Sequence, residues 1–138
     1  ATHMENNFNE MAKYINSNKE LMDKLGVLVK ELDENSEVKE NGKKLLELMD
    51  NWDKKMMQRM SKAYDDVENF PNKFLADYLF ILDEIKGDIP NVSEGILKSL
   101  KSHDEKWVEL KKEIDEINQV NIPEYNKELW SIGIGALN

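Results

Sequence analysis

Residues 8–32 read FNEMAKYINSNKELMDKLGVLVKEL, and their apolar spacing decides the fold. Phe8, Met11, Ile15, Met22, Leu25, Val29 and Leu32 recur by alternating threes and fours, with the polar Asn18 at one step of the series. That is the 3.5-residue period that keeps one stripe of side chains facing a partner helix. Tyr14, Leu21 and Leu28 make a second row beside it, which widens the stripe from a two-stranded zipper to a bundle helix. The spacing predicts a helix from about Asn6 to Asp33. Asn16-Ser17-Asn18 is poor in helix propensity and marks where a bend would enter. Two readings of Asn18 stand side by side. It is a buried amide that specifies pairing within the seam, or it is solvated at a bend.

A matching seam lies in the second half of the chain: Ile96, Leu100, His103, Trp107, Leu110, Ile114 and Ile117. It predicts a helix from an N-cap at Ser93 to about Val120. Between the two seams, Asp33-Glu34-Asn35-Ser36 offers cap-type side chains for a short turn, with a second helix starting near Glu37. Asn41-Gly42 is a turn-like dipeptide that would delay this start. From Leu45 through Met49, Trp52, Met56, Met60, Ala63 and Val67 to Phe70 the apolar period is that of a straight helix, stopped by Pro71. A third helix of about 15 residues follows from Pro71, apolar on much of its circumference and expected to be the most buried. Gly87-Asp88-Ile89-Pro90-Asn91 is a turn. Pro123–Trp130 fits a short fifth helix, and residues 132–137 are apolar and glycine-rich without helical punctuation.

The expected fold is therefore all-α, an antiparallel bundle of about four main helices with a short C-terminal helix and tail. Ala1-Thr2-His3 before Met4 reads as a cloning remnant, residues 4–131 as one bundle domain and 132–138 as a tail. A 28-residue helix is about 42 Å long, so the short third helix leaves part of the long ones uncovered. The C-terminal helix or a second chain would fill that gap.

Composition narrows the function. The net charge of −9 disfavours direct attraction to nucleic acid or anionic lipid. No cysteine is present, which excludes disulfides, thiolate metal sites and a cysteine nucleophile. No apolar run approaches the roughly 20 residues of a membrane span, and without a secretory signal the expected compartment is cytoplasmic. His103 is the one histidine after His3, and its neighbours Asp104 and Glu105 diverge from it around the helix. Metal coordination is therefore not expected. His103 reads instead as a polar seam residue that sets register, with some pH sensitivity. No phosphate loop, nucleophile elbow or carboxylate pair is singled out, so neither an enzyme nor a cofactor is expected.

What remains is a surplus of apolar helix face without catalytic groups. It points to a protein-contact module, an assembly, scaffold or adaptor bundle with self-association within its reach. The expected contact residues are Trp130, Ile132, Ile134 and Leu137 in the tail, with Met57 off the main stripe of the second helix. Asp65-Asp66, Asp83-Glu84 and Asp104-Glu105 raise an alternative, an acidic inhibitor seated in the basic groove of a nucleic-acid-binding protein. A further alternative is an amphipathic coat on a lipid or other hydrophobic surface.

Overall fold

The computed structural model describes residues 3–57, 74–88 and 94–137. Its elements are α1 (His3–Glu31), α2 (Glu37–Met56), α3 (Phe74–Asp88), α4 (Glu94–Glu116), a π-helical turn (Ile117–Asn121) and α5 (Ile122–Ser131). The architecture is the expected all-α bundle, with no strand among the described residues. None of the described helices is long and apolar enough to cross a membrane.

Helix α1 runs unbroken through Asn16-Ser17-Asn18. Weak local propensity is overridden by the apolar stripe, which buries Met11, Ile15, Leu25 and Val29. Asp33–Ser36 turns the chain. The Ser36 hydroxyl oxygen accepts the Lys39 N–H at 3.2 Å, which caps α2 where the sequence places its start. The hairpin is antiparallel, with Asn18 of α1 level with Met49 of α2.

Gly42 does not delay α2. It is buried within the helix, where an added methyl would lie 2.5 Å from Tyr125 Oη and 2.9 Å from Val29 Cγ2. A turn-like dipeptide is thus a point of close helix approach. Tyr125 Oη donates to the Val38 carbonyl at 3.0 Å beside it.

Helix α2 ends earlier than its apolar period suggests, because Met57 is extended (φ −152°, ψ 153°). Its cap is closed by the Met57 N–H, which donates to the Asp53 carbonyl at 3.0 Å, and α3 comes against the first turns of α1, where Asn7 donates to Tyr78 Oη at 3.4 Å. The expected continuation through Met60, Ala63, Val67 and Phe70, and the start at Pro71, lie outside the described residues. Helix α3 buries Phe74, Tyr78, Ile81 and Leu82 but leaves Leu79 and Phe80 exposed, so it is not the most enclosed element.

The largest departure lies at the C-terminal end of α4. Instead of stopping before Pro123, the chain passes through the π turn into α5, with residues 116, 121 and 122 all in right-handed helical geometry. Proline lacks an N–H, and in a regular helix its ring would strike the Gln119 carbonyl. The wider turn, in which Ile122 N–H donates to the Ile117 carbonyl five residues back, relieves that conflict without breaking the rod. The rod runs antiparallel to α2. Trp52 Nε1–H donates to the Leu110 carbonyl at 2.8 Å, and Tyr125 reaches Val38 further along. α5 therefore covers the part of α2 that α3 cannot reach, from within the same chain.

Candidate functional site

The core is filled by one cluster that includes Met11, Leu25, Met49, Trp52, Met56, Tyr78, Trp107, Ile114 and Leu129. Both seams are thus consumed inside the chain, and a contact surface must be sought among the apolar side chains left outside.

Trp130, Ile132 and Ile134 are 66%, 49% and 49% exposed, close together in sequence at the end of α5 and in the segment after it. Their backbone is ordered by hydrogen bonds. Gly133 N–H donates to the Trp130 carbonyl at 3.0 Å, and Ile134 N–H to the Leu129 carbonyl at 2.9 Å. With Gly133 at φ 85°, this is a Schellman cap. The segment does carry helical punctuation, contrary to the reading of residues 132–137, and Gly133 was the legible signal. Gly135, at φ 93°, brings its backbone against the Trp130 indole. A Cβ at Gly135 would stand 3.7–3.8 Å from the ring, in ordinary contact, so it is the positive φ rather than space that favours glycine there.

Leu137 departs from the other three. It is only 8% exposed and belongs to the core, and its N–H donates to Asn126 Oδ1 at 2.7 Å. It anchors the segment and is not part of the exposed surface expected to include it. Met57, at the end of α2, is half-buried against the core, so its free area is smaller than its off-stripe position implies.

Asn18 is 2% exposed. Its Nδ2 donates to the Met49 carbonyl at 3.0 Å and lies 3.4 Å from Met22 Sδ, while Oδ1 is buried without a partner. Of the two readings, the solvated bend is not what the helix shows. His103 is half-buried, its Nδ1 2.8 Å from the Ser99 carbonyl and its ring stacked on Phe74 at 5.6 Å. Asn18 and His103 lie on different helices and at different levels, and the fold does not bring them together.

Polar contacts between α1 and the α3–α4 pair involve two tyrosines. Tyr14 Oη donates to Asp115 at 2.8 Å, and Tyr78 Oη donates to Asp104 at 2.9 Å. Burial and then the Asp115 carboxylate push the Tyr14 hydroxyl pKa up to about 12. Burial, reinforced by Asp104 and opposed by Asn7, brings Tyr78 to about 12 as well. Asp104 is thereby drawn into the interior bonding. Elsewhere acidic residues are interleaved with lysines, as in Lys19–Asp23 at 2.9 Å, Lys54–Asp50 at 2.8 Å and Lys111–Glu10 at 3.0 Å. Asp65-Asp66 lies outside the described residues.

Several clefts line the surface. One of about 490 Å³ is walled by Lys55, Phe74, Asp77, His103, Lys106 and Glu109, among others, with both signs of charge. Among the described residues no group of three or more His, Asp or Glu side chains is placed to hold a metal ion. The fold and these surfaces define a helical-bundle protein. No protein-family profile matches the chain, and no curated protein or solved structure resembles it significantly.

Proposed function

We propose that this bundle works by protein–protein contact, through the surface formed by Trp130, Ile132 and Ile134. One observation carries the reading: three large apolar side chains stand half to two-thirds exposed on backbone fixed by a Schellman cap. Aromatic and aliphatic side chains held in one conformation lose little freedom on docking, which favours their use as anchors. The two helical seams are occupied within the chain, so their apolar surplus does not itself call for a second copy. Binding in this mode is non-enzymatic and depends weakly on salt.

The alternative of nucleic-acid mimicry needs an unneutralised acidic face. The interleaved lysines and the inward bond of Asp104 speak against it.

The test compares the wild-type chain with the variant W130S/I132S/I134S, each immobilised and challenged with the same cell extract at low and high salt. Loss in the variant of a protein retained by the wild type at both salt levels supports the surface. Identical retention by both chains refutes it. Absolute mass by light scattering, over a hundredfold concentration range, asks whether the retained partner is a second copy.

A further inference from the structure

We infer that residues 132–137 form a latched strap that opens as a unit, independently of the bundle, and that its closed form sets the shape of the exposed Trp130 surface. Whether that surface docks a partner rests on the proposal above, but the opening itself does not.

The inference comes from where the strap is tied. Gly133 N–H returns to the Trp130 carbonyl, and Ile134 and Gly135 N–H both return to the Leu129 carbonyl, at 2.9 Å and 3.3 Å for the latter two. The Leu137 N–H returns to Asn126 Oδ1 at 2.7 Å. Each of these acceptors lies on α5, so the strap folds back onto the helix from which it emerges. Its one deeply buried side chain is Leu137.

Releasing the strap breaks a few hydrogen bonds and unburies one leucine. It leaves Tyr125–Val38, Trp52–Leu110 and the α1–α2 hairpin in place. Segments with few buried apolar contacts are those that open below the global unfolding free energy. The opening also has a local consequence. Gly135 is held against the Trp130 indole only while Leu137 and the cap fix the chain, so the closed strap defines one face of the ring. Open, the strap would free Trp130 on that side and scatter Ile132 and Ile134.

Three features set this segment apart from ordinary fraying. Two residues are in left-handed geometry, one side-chain latch comes from the preceding helix, and an apolar anchor lies at the far end. A frayed end has no distal anchor.

Backbone amide hydrogen exchange on the full chain, followed residue by residue by NMR, is the test. The amides of Ile134, Gly135 and Leu137 should share one protection factor, lower than those of α5 and the α1–α2 hairpin. Asn126→Ala removes the latch and should speed that common exchange roughly three- to tenfold, the worth of one hydrogen bond. Leu137→Ala removes the anchor and should speed it further, by roughly thirtyfold or more. In both variants the α1–α2 amides should stay better protected than those of the strap, and any loss of global stability should be no larger than the loss at the strap. Two results would overturn the inference. One is strap amides that exchange only with the whole bundle. The other is Asn126→Ala and Leu137→Ala both leaving strap exchange at its wild-type rate. Because no partner enters the experiment, its failure is separate from failure of the docking surface.

Discussion

Replacing Asn18 with leucine should make the protein more stable, and the structure gives the size of the effect. The side chains are close in shape, so overpacking is small. Asn18 Oδ1 is buried without a partner, and an unmade bond at such an atom costs about 1–3 kcal/mol. Against this, Nδ2 donates to the Met49 carbonyl at 3.0 Å, which returns about 0.5–1.5 kcal/mol. That carbonyl lies inside α2 and keeps its helical donor, so leucine strands nothing there. Burying the leucine methyls adds about 1.5–3 kcal/mol, part of which is lost to imperfect fit. The net expectation is a gain of about 1–3 kcal/mol, or a rise in melting temperature of roughly 3–10 °C for a chain of this length. Urea denaturation followed by circular dichroism measures it, with the m-value as an internal control. Asn18→Asp provides the contrast. An ionised carboxylate in the same place faces the Met49 carbonyl and should cost at least ~3 kcal/mol at neutral pH, relieved as pH falls and the group protonates. If leucine destabilises the fold at unchanged m-value, the bookkeeping of the buried amide is wrong. If asparagine is kept for register, leucine should raise stability while lowering the m-value or doubling NMR resonances. A single sharp set would confine its role to packing.

Other outcomes follow from the same geometry. Gly42→Ala, which in an open helix gains about 1 kcal/mol, should instead lose about 1–2 kcal/mol in urea denaturation, because the methyl meets Tyr125 Oη and Val29. Part of that loss should vanish in a Tyr125→Phe background, where the hydroxyl is gone. Trp52→Phe removes the indole bond to the Leu110 carbonyl and leaves a gap in the core, for an expected loss of about 2–4 kcal/mol in the same assay. At high pH, Tyr14 and Tyr78 keep their protons in the folded chain up to about 12, whereas unfolded tyrosines release them near 10. The unfolded state then binds fewer protons, so stability present below pH 10 should decline as pH rises from about 10 toward 12. Tyrosinate absorbance and circular dichroism, recorded together, check this. Two tyrosines that ionise normally at pH 10 with the fold intact would contradict it.

The sequence announces those elements whose patterns are set locally. The α1 seam, the Ser36 cap and the stripe of Leu45, Met49, Trp52 and Met56 each follow from spacing or from one capping side chain. The missed features depend on partners distant in the chain. Gly42 looks like a turn until Tyr125 is seen to need the space. Pro123 reads as a stop, and the π turn absorbs it because α5 must stay aligned to cover α2. Gly133 is the exception. A glycine just past Leu129 and Trp130 is ordinary evidence for a helix cap, and the apolar character of its neighbours hid it. For the candidate surface, exposure of Trp130, Ile132 and Ile134 accords with the pattern, while the inward turn of Leu137 depends on Asn126, which no periodicity marks.

The dependence of α2 on α5 also bears on how the chain is made. Gly42, Val38 and Asn41 receive their cover from Tyr125 and Glu128, far downstream. The α1–α2 hairpin therefore leaves the ribosome with that flank open, and roughly 75 further residues, on the order of 4–15 s of synthesis, pass before its partner emerges. During that interval Val38, Asn41 and Gly42 are without the cover that α5 gives them in the folded chain. Chaperone engagement on nascent chains should accordingly rise once α2 is out and fall only after Leu129 clears the exit tunnel.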